Sequence, residues 1–168
     1  MTNSSSWRTR SAITIAACAL TIAGCSETYR SAVVENAAPA VEAVLVVSDP
    51  SPPVGGALVV SVQANSNQGI VGSYTARITY DSTALRFDGE IPISDKGMRA
   101  VNPTSGLVRF AGAAADGFPD GRLATYRFVA LRSNSAKTLA LAVDELHMIT
   151  RVDVKRALTV APIRQSSR

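Results

Sequence analysis

Cysteine, histidine and tryptophan are almost missing from this 168-residue chain: the two cysteines are Cys18 and Cys25, the single histidine is His147 and the single tryptophan is Trp7. Beyond residue 25 there is therefore no thiol for a disulfide, a zinc-cysteine site or a cysteine nucleophile. A Ser-His-Asp set could be assembled only around His147, and neither a nucleophile elbow nor a glycine-rich oxyanion loop accompanies it. His147 lies in "DELHMIT" and reads as a half-exposed strand residue. Asp144 and Glu145 are neighbours in the same stretch, so regular alternation would point them to opposite faces, where they cannot share a substrate. Phosphate loops and dinucleotide fingerprints are also lacking. These gaps argue against an enzyme and leave no resident cofactor or metal to expect.

What the N-terminus does contain is a targeting pattern. Arg8 and Arg10 precede the apolar run Ile13 to Ile22, which is too short to span a bilayer as a helix. The run ends in Ile22-Ala23-Gly24-Cys25, which resembles the lipobox of bacterial lipoproteins, an aliphatic and two small residues before the cysteine that accepts lipid. On this reading residues 1–24 are a signal peptide and Cys25 is the lipidation site. Removing the first 24 of 168 residues leaves 144, enough for one domain of common size and a tether. Arg8 and Arg10 leave with the signal while all 13 acidic residues stay, so 15 cations face 13 anions, a surplus of +2. That is too small and scattered to suggest nucleic acid. The expected location is the bacterial cell envelope, lipid-anchored at the outer membrane or cell surface.

Residues 25–40, rich in alanine and without sustained period, read as a tether. From Val41 the pattern changes to β-branched and alternating. "VEAVLVVS" is stopped by "DPSPPVGG"; in "ALVVSVQA" Leu58, Val60, Val62 and Ala64 share a face; Tyr74, Ala76, Ile78 and Tyr80 alternate with Ser73, Thr75, Arg77 and Thr79. Period two at this length marks a half-buried strand. Further short strands, "ALRFDG", "GLVRFAG", "RLATYRFVAL", "TLALAV", "ELHMIT" and "VDVKRALTV", are separated by turn-forming stretches including "SDKG", "NPTSG" and "ADGFPDG". No capped stripe of helical period follows the signal. The pattern predicts an all-β fold, an antiparallel sandwich of about nine strands over 41–160, with 161–168 as a solvated basic tail.

The colinear series "PPVGGALVVSVQA", "ARITYDSTALRF", "GLVRFAG", "GRLATYRFVAL" and "LALAVDEL" resembles the cohesin domain and its relatives among carbohydrate-binding-module-like sandwiches, over roughly residues 43 to 150. The resemblance implies a nine-stranded jelly roll whose flat sheet binds the dockerin module of a partner protein. It also implies that the calcium of such a complex belongs to the dockerin. Asp116 and Asp120 in "DGFPDG" then read as turn formers, since they lack the alternating oxygen ligands of a helix-loop-helix calcium site.

Within that frame the candidate partner-binding residues are Ser73, Thr75, Arg77 and Thr79, a polar row on one strand face, with Phe118 as a separate loop candidate. The row equally fits an ordinary solvated face, and Phe118 equally fits an anchor tucked over the sandwich edge. Asp81, at the end of the same strand beside Ser82 and Thr83, reads as a corner former that accepts nearby N–H groups. The leading function is a lipid-anchored, non-catalytic receptor for a dockerin-like module. A carbohydrate-binding lipoprotein is the alternative, although Trp7 leaves with the signal and Tyr74, Tyr80, Phe87, Phe110, Tyr126 and Phe128 are needed for the core. A structural module of envelope assembly comes third.

Overall fold

The computed structural model describes residues 41–67 and 69–166. Cys25, the signal peptide and the tether lie outside the described residues. The order is β1 (Val41–Val47), β2 (Ala57–Ser66), β3 (Val71–Thr79), β4 (Leu85–Glu90), β5 (Met98–Thr104), β6 (Leu107–Phe118), β7 (Arg122–Ala130), β8 (Ala140–Met148), β9 (Leu158–Val160) and β10 (Arg164–Gln165). Two short 3-10 turns, Ser135–Thr138 and Lys155–Ala157, interrupt the later chain. The strands form two sheets. One runs β10-β1-β2-β7-β4 with β9 also on β1, and the other runs β5-β6-β3-β8. All neighbours are antiparallel except β9 and β10, which pair parallel to β1.

Alternation drives the packing. Leu58, Val60 and Val62 of β2 turn inward opposite Phe128, Tyr126 and Ala124 of β7, and they meet Tyr74, Ala76 and Ile78 of β3 across the sandwich as parts of one buried cluster. The aromatic rings interlock at its centre, with Tyr126 5.2 Å from Phe110 and Phe110 6.0 Å from Tyr74, both edge-on. Gly112 makes this fit possible, because a Cβ there would lie 2.6 Å from the Tyr74 ring. The Tyr74 hydroxyl donates to the Leu123 carbonyl at 2.6 Å. Burial pushes its pKa up to about 12, against the opposing pull of Arg99, so it remains a donor.

The "YDSTALRF" corner is built as the sequence suggested. Thr83 donates to Asp81 Oδ1 from its N–H at 2.8 Å and its hydroxyl at 2.7 Å, while the Asp81 carbonyl accepts from the N–H groups of Ala84 and Leu85. Those hydrogen bonds, with Arg132 beside it, hold the Asp81 carboxyl below the usual carboxylate range.

Four details differ from the sequence reading. "TLALAV" and "ELHMIT" are not two strands but the single strand β8. Its continuity hides a bulge: Thr75 faces Glu145 and Ala76 faces Val143, leaving Asp144 as the extra residue. Asp144 therefore reaches Arg77 on the outer side next to Glu145, instead of pointing to the opposite face. "MRAVNPT", whose last three residues open the turn-forming "NPTSG" of the sequence reading, is the edge strand β5, where Pro103 is tolerated because an edge leaves half its backbone groups unpaired. The chain past residue 160 is tied down at Arg164 and Gln165, which pair with Val46 and Val47, and Arg164 bonds Glu42 at 2.7 Å.

Candidate binding face

The outer side of the β5-β6-β3-β8 sheet carries the polar row. Ser73, Thr75 and Arg77 are half-buried and Thr79 is exposed on β3, an interior strand of this sheet. Register sets their neighbours. Ser73 lies between Ala113 and His147, Thr75 between Ala111 and Glu145, and Arg77 between Arg109 and Ala142. The β5 edge adds Met98 beside Ala113 and Ala100 beside Ala111. Small side chains on β6 and β5 thus make a floor, walled by Met98 on one side and by Glu145 and His147 on the other. The result is a shallow depression of about 360 Å³. Met98 stands 77% exposed at its rim, an unusual place for so large an apolar side chain on a surface facing only water.

Electrostatics give this face a fixed polarity. Arg77 is ion-paired with Asp144, both side chains being partly exposed. Arg109, directly across from Arg77, is exposed and adds a second positive charge. Like charges directly opposite each other on a sheet repel, and the single Asp144 carboxylate only partly offsets the pair. The arrangement can accept a carboxylate or several backbone carbonyls. Among the described residues no group of three or more His, Cys, Asp or Glu side chains could hold a metal ion.

Phe118 is not on this face or on a protruding loop. It closes β6, is 2% exposed, and lies 5.3 Å from the Tyr74 ring. Its role as a partner contact is thereby corrected: the preceding residues of "DGFPDG" continue β6 and turn the ring into the core. Above it sits Arg99, whose Cζ is 4.9 Å from the ring centre. The Arg99 Nε donates to the Leu123 carbonyl at 2.7 Å, and its terminal nitrogens grip Asp95 at 2.6 and 2.5 Å. The Arg99 guanidinium in turn holds the Asp95 carboxyl below its ordinary range. This clamp escaped the sequence reading because an inward-pointing arginine breaks the apolar alternation that would have revealed β5.

The sequence reading placed the row on β3 but missed its companions Met98, Ala100, Arg109, Ala111, Ala113, Glu145 and His147. The alternation of Arg109, Ala111 and Ala113 with Val108, Phe110 and Gly112 was the available signal.

The sequence matches no protein-family model and no curated protein. Solved structures do resemble it. A chain of a type II cohesin-X-dockerin complex from Acetivibrio cellulolyticus superposes with TM-score 0.57 at 10% identity, over 75% of this chain and 99% of that one. A type II cohesin domain from the cellulosome of the same organism gives 0.57 at 11% identity, over 73% and 92% of the two chains. A non-cellulosomal cohesin from the archaeon Archaeoglobus fulgidus gives 0.51 at 18% identity, over 75% and 92%. The fold is that of a cohesin module. At these identities side chains are not shared, so the cohesin fold fixes the frame, and the chemistry of the face must be read from this chain's own residues.

Proposed function

We propose that this chain is a lipid-anchored, non-catalytic receptor of the bacterial cell envelope that presents the outer face of β5-β6-β3-β8 to a folded protein module of dockerin type. The observation carrying this reading is an uncovered sheet face with a small-residue floor, an exposed Met98 and an Arg77 paired with Asp144. Its support is the cohesin fold, since solved structures of that fold include complexes with dockerins. A protein module covers about 800 Å² on each side, which a broad sheet face can offer. Arginine and methionine suit the middle of such a patch. A polysaccharide would instead favour exposed rings, and the rings of Tyr74, Phe110 and Phe118 are buried beneath this sheet.

Titration calorimetry against a panel of purified, calcium-loaded dockerin modules tests the partner class. A hit should weaken on Arg77→Glu and stay unchanged on Arg127→Glu, a substitution on the other sheet. A complex indifferent to Arg77 rejects this face, and failure of every module rejects the class. Anchoring is tested separately by Cys25→Ser, which should shift the protein out of the membrane fraction.

A further inference from the structure

One end of the sandwich gathers the start of β1, the β2–β3 connection, the β6–β7 turn and the turn after β8, as the pairings Val41 with Ser66 and Val71 with both Met148 and Phe118 require. The turn after β8 is a hairpin, closed by the His147–Asp153 bridge and by hydrogen bonds from Met148 N–H to the Val152 carbonyl and from Arg151 N–H to the Met148 carbonyl. Arg151 takes a positive φ of 65°, a conformation that a bulky residue rarely adopts. All of "ITRV", residues 149–152, is exposed. Ile149 and Ile70 meet over Gly117, where a Cβ would lie 2.8 and 2.4 Å from their Cγ2 atoms. Val152, 53% exposed, lies on the same hairpin as Ile149. Lys155 and Arg156 flank it in the following 3-10 turn.

We infer that this tip docks on the phospholipid surface to which Cys25 tethers the domain. The inference rests on the lipid-anchor part of the proposed function and concerns a surface distinct from the partner face. Three observations point to a membrane as the occupant. Val41, the first described residue, lies at this end, so a lipid on Cys25 would be connected to the domain from this side. The exposed aliphatic side chains are compact and sit on a projecting turn, which fits shallow insertion among headgroups better than a broad protein footprint. Cations dominate the hairpin itself: Arg151, Lys155 and Arg156 face only Asp153, whose carboxylate is occupied by the Lys155 N–H at 2.9 Å. Asp116 and Asp120 on the neighbouring strand and turn offset that surplus, so the aliphatic tip and not charge supplies the contact. A weak surface suffices because a short connection to a lipid-bearing Cys25 would hold the tip at an effective concentration on the order of millimolar.

The test uses the full chain, processed in cells and reconstituted in vesicles of phosphatidylethanolamine and phosphatidylglycerol. An environment-sensitive dye is attached through Val152→Cys or, at the opposite end, through Val54→Cys. Mass spectrometry of the N-terminal peptide reports lipidation of Cys25 independently. Docking predicts a blue shift and quenching by spin-labelled lipid at position 152 and neither at 54. Adding Ile70→Asp and Ile149→Asp should abolish the response at 152 while Cys25 stays lipidated. Equal responses at the two ends, or none at 152 with lipidated Cys25, overturn the docking alone. An unmodified Cys25 overturns the anchor and the tethered docking with it.

Discussion

On the β10-β1-β2-β7-β4 sheet the outer face is partly roofed: the Ile91 N–H extends the β4–β7 ladder by donating to the Thr125 carbonyl at 2.8 Å, Thr125 is only 7% exposed, and residues 91–94 wall a cavity of about 410 Å³ beside Val59, Ser61 and Gln63. On the β5-β6-β3-β8 sheet nothing among the described residues covers Arg77 or Met98. Both faces are built by the same alternation. The roofed face satisfies its polar groups internally, as in the Ser61–Thr125 hydroxyl contact at 3.3 Å, whereas the open face leaves Arg109, Glu145 and Met98 to the surroundings. A recognition surface is therefore distinguished here by what fails to cover it as much as by composition.

The contrast is steepest within β3, whose two sides belong to the core and to the open face. Ile78→Ala should cost roughly 2–4 kcal/mol through lost transfer energy and a residual cavity, because Ile78 is fully buried. Thr79→Ala, on the exposed side, should stay within about 0.5 kcal/mol. Urea unfolding of the two variants measures both, and equal costs would break the assignment of faces.

The roof itself depends on the clamp. The Arg99 side chain is 10% exposed and ties Asp95, Leu123 and Phe118 together. Arg99→Ala should destabilise by roughly 2–3 kcal/mol, the range for losing charge-assisted hydrogen bonds with partners left unpaired. Hydrogen exchange at the Ile91 amide should accelerate as the 91–97 segment loosens, while amides in the middle of β3 change less. A variant with unaltered exchange at Ile91 would show that the roof does not need the clamp.

Where local chemistry and periodicity agreed, the fold was legible. Tyr74, Ala76 and Ile78 marked β3, and "YDSTALRF" marked its corner. The clamp and half of the open face were not legible, because each depends on a break in the rule. Arg99 points inward where strand alternation calls for an apolar residue, and Asp144 is a bulge that only the partner strand's register reveals. The pairing of β10 with β1 is likewise a long-range contact that the basic residues near Arg164 gave no reason to expect.

On the open face the expected effect falls on binding and hardly on stability. Arg77→Glu should weaken a dockerin-type partner at least tenfold, about 1.4 kcal/mol, yet change unfolding by no more than about 1 kcal/mol, as for other exposed ion pairs. Arg127→Glu, which breaks the exposed pair with Asp88 at 2.5 Å on the other sheet, should match it in stability and leave binding intact. If both variants bind alike, the open face loses its special status.

The smallest effect is a pH dependence that separates the roof from the open face. Asp95 is held below the usual carboxylate range, chiefly by hydrogen bonds from Arg99, and an unfolded chain returns it to about 3.9. A depressed folded value means that the unfolded state binds the proton more readily, so this contribution is fully present above about pH 4 and is lost as pH falls through the folded value. Asp81 acts in the same direction through its bonds from Thr83, so wild-type stability should decline on acidification from more than one site. Asp95→Asn removes one of them: its stability at neutral pH should be lower and its decline below pH 4 shallower. Melting temperatures across that range, read beside exchange at the Ile91 amide, decide whether acid loosens the roof specifically. If Asp95→Asn leaves the acid slope unchanged, the clamp does not couple the roof to pH, and the acid response belongs to the Asp81 corner.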